Sequence, residues 1–144
     1  MYWPEKYQLG IIKEYLREEN IEFETEATLY SIPVDVLGFD GSDTYAIEMK
    51  TKDFGRGIRQ AQRNTSFVDF SYLAVWEEKA TKDLKKRIES LDIGLLSVGV
   101  KVKCLSTPLQ NDPSDHAREV VIERVADNVR KQYSLSAPGT ETGS

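Results

Sequence analysis

The fold is decided by residues 33–50, which read PVDVLGFDGSDTYAIEMK. The tetrapeptide at residues 40–43 is typical of a hairpin turn, because Gly41 suits the first central position of a type II′ turn. With a two-residue loop at this place, Asp35 on the first strand lies directly opposite Glu48 on the second, and a four-residue loop keeps the same register. The stretch therefore predicts a β-hairpin that brings two carboxylates together.

The alternation of side chains along the two strands predicts which residues share a face of the hairpin. Asp35, Glu48 and Lys50 project from one face. The other face is apolar and is expected to face the core, with Val34, Val36, Tyr45, Ile47 and Met49.

Two carboxylates directly opposite each other repel, because their Cβ atoms are only about 5 Å apart. Lys50 compensates in part, and Mg²⁺ would compensate more fully because it prefers carboxylate oxygen. The alternative is an ordinary solvated outer face of a hairpin. A further alternative is a different α/β domain, in which Glu48 and Lys50 form a surface pair and the register separates Asp35 from Glu48.

The rest of the chain predicts a mixed α/β domain with the order α-β-β-β-α-β-α-β and an appended helix. Helices are expected from Pro4 to near Asn20, from Arg56 to Phe67 and from Thr81 to Leu91. Strands are expected over residues 21–30, 34–39, 44–49 and 70–76, with one or two more within 93–105.

We expect residues 1–105 to form the core and residues 106–113 a linker. Residues 114–133 are predicted to be a helix capped by Ser114 or Asp115, whose apolar stripe covers the domain's own core rather than a dimer seam. Residues 134–144 are rich in Ser, Thr, Gly and Pro and predict a disordered tail.

The chain has 144 residues, a formal net charge of −5 and one cysteine, Cys104. This length indicates one domain, and no apolar run is long enough to span a membrane. A lone cysteine fits a reducing compartment, so we expect a soluble cytoplasmic protein. The charge is uneven, because residues 1–49 carry 3 basic and 11 acidic side chains whereas residues 50–105 carry 12 and 7.

Pro33-Val34-Asp35 and Glu48-Met49-Lys50 resemble the signature of the PD-(D/E)xK nuclease superfamily. The resemblance implies the restriction-endonuclease-like fold, a mixed central sheet flanked by helices with an α-β-β-β-α-β core. It also implies that Asp35 and Glu48 hold Mg²⁺, for which Mn²⁺ substitutes, together with the Met49 backbone carbonyl. Lys50 would then orient the attacking water or stabilise the transition state.

Two further residues enter through the same resemblance. The exonuclease-like and RecB-like branches carry Gln-hydrophobic-x-x-Tyr on the second helix, and Gln60-Ala61 matches its start whereas Asn64 replaces the tyrosine. Many members place a glutamate on the first helix. Glu5 heads the core-facing stripe there, although a first-turn glutamate is also favoured by the helix dipole alone.

A run of basic residues follows Lys50, and Asp53 is the only acidic residue within it. This run is predicted to contact the DNA backbone. Its members are Lys52, Arg56, Arg59 and Arg63. A second run, with Lys79, Lys82, Lys85, Lys86 and Arg87, is balanced by nearby acids and is interpreted as a solvated face.

These observations predict a Mg²⁺-dependent deoxyribonuclease that hydrolyses DNA phosphodiester bonds as an endonuclease. Small members of this superfamily are often homodimers, because two strands must be cut. The alternative is a catalytically inactive module of the same fold that binds nucleic acid or a partner protein. No membrane association is expected.

Overall fold

The computed structural model describes residues 5–136, with side chains through residue 133. No helix within these residues is both long enough and apolar enough to cross a membrane. The elements, in chain order, are α1 (Glu5–Glu18), β1 (Glu22–Leu29), β2 (Ile32–Phe39), β3 (Thr44–Lys50), α2 (Phe54–Asn64), β4 (Phe70–Trp76), a 3₁₀ turn (Glu77–Lys79), α3 (Lys82–Glu89), β5 (Gly94–Val98), β6 (Val102–Ser106) and α4 (Asp115–Ser136).

The six strands form one mixed sheet in which their spatial order follows the chain, β1 to β6. The first three strands are antiparallel neighbours, β3, β4 and β5 run parallel, and β6 returns antiparallel to β5. Helices α2 and α3 make the two parallel crossovers and pack in one cluster against β4 and β5. The predicted α/β class with a helix-flanked mixed sheet is confirmed.

The β2–β3 hairpin has the predicted register. Phe39 pairs with Thr44 and Val36 pairs with Ile47. The Asp40 amide donates to the Asp43 carbonyl at 3.2 Å, which closes the two-residue loop. The hydrophobic pattern and the turn thus agree on the pairing.

The sheet buries both of its faces. On one face α1 packs against a cluster that includes Val36, Ile47 and Met49. The other face is covered by α2, α3 and α4. Each strand of the hairpin is therefore sandwiched, and the face that bears Glu48 is an interior face.

Val34 does not share a cluster with Val36, so its predicted position on that face is wrong. It packs beneath α4 with Ala27, its partner on β1. The neighbouring Glu26 has φ 52°, a left-handed conformation that interrupts the alternation of side chains along β1. The end of the β1–β2 ribbon is consequently turned toward α4.

Several predicted boundaries need correction, among them the start of β2, which is Ile32 rather than residue 34. Helix α2 begins at Phe54, two residues early, because the Asp53 side chain accepts from the Arg56 amide and caps it, and it ends at Asn64 instead of Phe67. Helix α4 continues through Ser136, so residues 134–136 do not belong to a tail. Residues 137–144 and Pro4 lie outside the described part of the chain.

Helix α4 covers the domain's own core, as its apolar stripe predicts. Val121 and Val125 are fully buried in the cluster that contains Val34. The Ala117 amide donates to Ser114 Oγ at 3.1 Å, which confirms Ser114 as the cap. The predicted linker at residues 106–113 begins one residue too early, because Ser106 is the last residue of β6. Within the connection Pro108 and Pro113 are buried and anchor it to the domain.

Candidate active site

Asp35 and Glu48 lie side by side on β2 and β3. The pairing of Val36 with Ile47 places them at the next position of the ladder. The Met49 amide donates to Asp35 Oδ2 at 2.8 Å, which ties the first carboxylate to the strand that carries the second. Only 2% of Glu48 is exposed. The solvated-face and surface-pair alternatives are therefore both wrong, because helices cover this face of the hairpin.

The Glu48 carboxyl group is held in an environment that resists its ionisation. Burial and the neighbouring Asp35 raise the pKa of Glu48 to about 7, against an ordinary value of 4.5. Hydrogen bonding from Asn64 and the positive charge of Arg63 act in the opposite direction. Glu48 is thus poised to change charge near neutral pH.

Two residues at the end of α2 hold Glu48, and we call them the Arg63–Asn64 clamp. Asn64 Nδ2 donates to Glu48 Oε2 at 2.8 Å, and Arg63 Nη2 lies 3.8 Å from the same oxygen. Arg63 also donates to Asn64 Oδ1 at 3.2 Å and to the Pro33 carbonyl at 3.0 Å. The clamp therefore joins α2 to both strands that carry a carboxylate.

The clamp alters the sequence-based interpretation of its two members. Arg63 was predicted to contact DNA, but its guanidinium group is directed inward to Glu48 and β2. Asn64 stands where the resemblance expects a tyrosine, so the sequence alone predicts no role for it. Its place four residues after Gln60 was the one available signal, because it puts both side chains on the same face of a helix.

Three residues of α2, Gly57, Gln60 and Asn64, lie on the helix face that packs against β3. A Cβ at Gly57 would meet Lys50 Cγ at 2.5 Å, so only glycine lets α2 approach the Lys50 side chain so closely. Asn64 contacts Glu48, and Gln60 lies between Gly57 and Asn64 on the helix. The Gln60 Oε1 atom is buried and has no hydrogen-bond partner within residues 5–136. Gln60 therefore carries a buried, unpartnered acceptor on the helix face that also bears Asn64.

Glu5 is not brought to this pair. It is exposed in the first turn of α1, the helix on the opposite sheet face, and in the described residues it makes no hydrogen bond or ion pair with Asp35 or Glu48. The buried polar residue of that helix is Gln8, whose amide atoms both lack a partner in the same part of the chain.

The other predicted DNA-contacting residues are Lys52, Arg56 and Arg59. All three are exposed, at the connection from β3 to α2 and on α2 itself. They follow the strand that carries Glu48 and Lys50, so they are available to a ligand bound at that end of β3.

The carboxylate pair has the donor chemistry that Mg²⁺ requires. Asp35 and Glu48 are hard oxygen donors, and Mg²⁺ is commonly held by one or two carboxylates with waters completing the octahedron. One oxygen of each carboxylate is hydrogen bonded by the protein, at Met49 N and Asn64 Nδ2. No cluster of three or more acidic, histidine or cysteine side chains suited to a metal occurs in residues 5–136. These residues therefore suit a Mg²⁺ ion with few protein ligands. The resemblance implies the Met49 carbonyl as the third protein donor.

Comparison with known proteins gives information on the fold but none on the chemistry of the site. No protein-family model and no curated protein sequence matches the chain. A solved structure, the SPO1766 protein of unknown function from Silicibacter pomeroyi, is similar with a TM-score of 0.68 and 18% sequence identity. The match covers 90% of this chain and 88% of that one. The likeness establishes a shared fold over nearly the whole length.

Proposed function

We propose that this protein is a Mg²⁺-dependent DNA endonuclease of the PD-(D/E)xK superfamily, with the restriction-endonuclease-like fold. The observation that carries the proposal is the contact of Asp35 with the β3 backbone beside a buried Glu48. Burying a second carboxyl group next to the first costs free energy. A metal ion held between them recovers that cost, which is the reason to keep the pair.

The roles of the residues follow from their positions. Asp35 and Glu48 would hold the metal, which would supply a Lewis acid that makes a water molecule easier to deprotonate. Lys50, on the same face of β3, carries the ammonium group that would orient the attacking water and stabilise negative charge at phosphorus. Gln60 offers its unpartnered Oε1 to a donor in the site. Lys52, Arg56 and Arg59 bind backbone phosphates of the DNA.

The test is cleavage of supercoiled, linear, single-stranded and four-way-junction DNA with Mg²⁺, Mn²⁺ or EDTA. We expect cleavage with either metal and none with EDTA. Glu48→Gln and Lys50→Ala should each lower the rate by at least about a hundredfold, since each removes a group that acts on the reacting phosphate. Glu22→Gln, at an exposed position of β1, is the matched control and should cut normally. Metal-dependent cleavage that survives both site variants would overturn the assignment.

A second candidate function is a catalytically inactive module of the same fold that binds nucleic acid or a partner protein. It is favoured by the Arg63–Asn64 clamp, which already gives Glu48 a hydrogen bond and a cation without any metal. This candidate predicts DNA binding that is unaffected by EDTA and no cleavage of any substrate. The same set of incubations, read by gel shift as well as by product, separates the two.

A further inference from the structure

Two arginines from different helices converge at the start of α2. An ideal Cβ built on Gly55 would lie 3.6 Å from Arg59 Nη1 and 3.9 Å from Arg87 Nη2. Arg59 belongs to α2 and Arg87 to α3. Their guanidinium groups therefore flank one spot above Gly55, where the missing side chain leaves space.

The charge of these arginines is not compensated by the protein. Both are exposed, and neither forms an ion pair within residues 5–136. Asp53 is the nearest carboxylate along α2, and its side chain caps the Arg56 amide. Asp83 lies one turn before Arg87 on α3 and does not pair with it. Like charges that converge without a counter-ion repel, so an anion bound between them is stabilised.

The spot lies at the same end of β3 as Lys50, at the start of α2. Gly55 is two residues from Gly57, so it faces nearly the opposite side of the helix from the contact of Gly57 with the Lys50 side chain. The first turn of α2 contains no acidic residue, and the positive end of its dipole points toward the same place. A nucleic acid whose reacting phosphate lies at Lys50 would therefore reach Gly55 by crossing the start of α2.

We propose that Arg59 and Arg87 together bind a single backbone phosphate of the nucleic acid at the start of α2, separate from the phosphate that is cut. Two guanidinium forks match phosphate oxygens better than single lysines do. This site rests on the proposed function and adds α3 to the interface. The charged run of α3 is interpreted from the sequence as a solvated face. In this proposal it contributes Arg87 to the phosphate-binding site.

The test is equilibrium binding to a fluorescein-labelled DNA duplex over a range of salt concentrations, with Ca²⁺ replacing Mg²⁺ to prevent turnover. Arg59→Ala and Arg87→Ala should each weaken binding about tenfold and lower the salt slope by about one. The double variant should lose little more than either single variant and keep the same reduced slope, because both arginines bind one phosphate. Lys131→Ala, exposed on α4, removes the same charge and should bind as the parent does.

Two results would overturn this inference alone. One is an Arg87→Ala protein that binds like Lys131→Ala, and the other is a double variant whose slope falls by about two, which means separate phosphates. Failure of the proposed function looks different, since the parent protein would then cut no DNA with Mg²⁺ or Mn²⁺, whether or not it binds DNA. Arg87→Lys, which keeps the charge and loses the fork, should bind between the parent and Arg87→Ala.

Discussion

Glu48 illustrates how one residue can be kept at a cost to the folded state. Its carboxyl group is buried beside Asp35, and only the Arg63–Asn64 clamp opposes the resulting rise in its pKa. The pKa reaches about 7, so the folded protein binds a proton at Glu48 that the unfolded chain has already released. The ionised carboxylate is therefore tolerated in the fold but does not stabilise it.

This placement predicts a pH dependence of stability in the absence of metal. Between pH 4.5 and 7 the folded state binds more protons at Glu48 than the unfolded state does, so the free energy of unfolding falls as the pH rises. Glu48→Gln removes this effect and should be more stable than the parent at pH 8, by up to about 3 kcal/mol. Urea denaturation in EDTA at pH 5 and pH 8 measures it.

Glu22→Gln is the control for that comparison, because Glu22 is exposed on the same sheet. A Glu48→Gln protein whose stability relative to the parent is the same at both pH values would contradict the prediction.

Asn64 is expected to act on metal binding through Glu48. In Asn64→Ala the Glu48 Oε2 atom loses its hydrogen-bond donor, so the carboxylate is less well oriented. Loss of such an orienting partner typically weakens metal affinity by about tenfold or more. Titration of the melting temperature with Mn²⁺, without DNA, measures this directly. Gln62→Ala, on the same helix, should match the parent, and equal affinity in Asn64→Ala would contradict the role.

The carboxylate pair could be predicted from the sequence and the clamp could not, for a physical reason. The opposition of Asp35 and Glu48 follows from a two-residue turn and the period of a strand, which are local properties. The contact of Asn64 with Glu48 depends on how closely α2 packs on β3, and Gly57 determines that approach. No spacing within the sequence encodes the distance between a helix and a sheet.

At the scale of elements, Asp69 connects α4 to the starts of two strands. It precedes β4, accepts from the Thr44 amide at 2.8 Å at the start of β3, and accepts from Arg118 Nη2 of α4 at 3.0 Å. Arg118 also donates to the Ser42 carbonyl at 2.6 Å, in the hairpin turn. Burial pushes the pKa of Asp69 upward, but the hydrogen bonds from Thr44 and Arg118 outweigh it and hold the pKa below 3.8.

Arg118→Ala should therefore destabilise the protein by about 2 kcal/mol, since it leaves a buried carboxylate without its cation. The stabilisation from the lowered pKa is complete above about pH 4 and is lost as the pH falls through the folded-state pKa, so the parent and the variant should converge in acid. Urea denaturation at neutral pH and near pH 3 tests both statements. Arg130→Ala, whose partner Asp127 is exposed, should change stability by less than about 0.5 kcal/mol.

Helices and strands are predicted best where neighbouring residues alone determine their ends. The sequence predicts both ends of the strand from Phe70 to Trp76 correctly, because this mainly apolar stretch is bounded by Asp69 and Glu77. The start of α2 was placed two residues late, since a cap by Asp53 competes with the helix-weakening effect of Gly55. The predicted face of Val34 is wrong because nothing in the sequence indicates the left-handed conformation of Glu26 on the partner strand.

At the scale of the whole molecule, the topology separates the two kinds of charge. The acidic residues of the first third include Glu22 and Glu24 on β1, an edge strand, where Glu24 pairs with Arg124 at 3.2 Å. The basic run of the middle segment begins at Lys50, in the middle of the sheet, and continues into α2. A net charge of −5 therefore coexists with a cluster of positive side chains next to the candidate site.

The position of α4 in the chain has a consequence for synthesis on the ribosome. Val121 and Val125 of α4 bury Val34 of β2, the immediate neighbour of Asp35. A nascent chain that has emerged only as far as β6 can pair all six strands, yet the strand that carries Asp35 still shows apolar side chains to water. The core beside Asp35 is therefore complete only after α4 has left the exit tunnel.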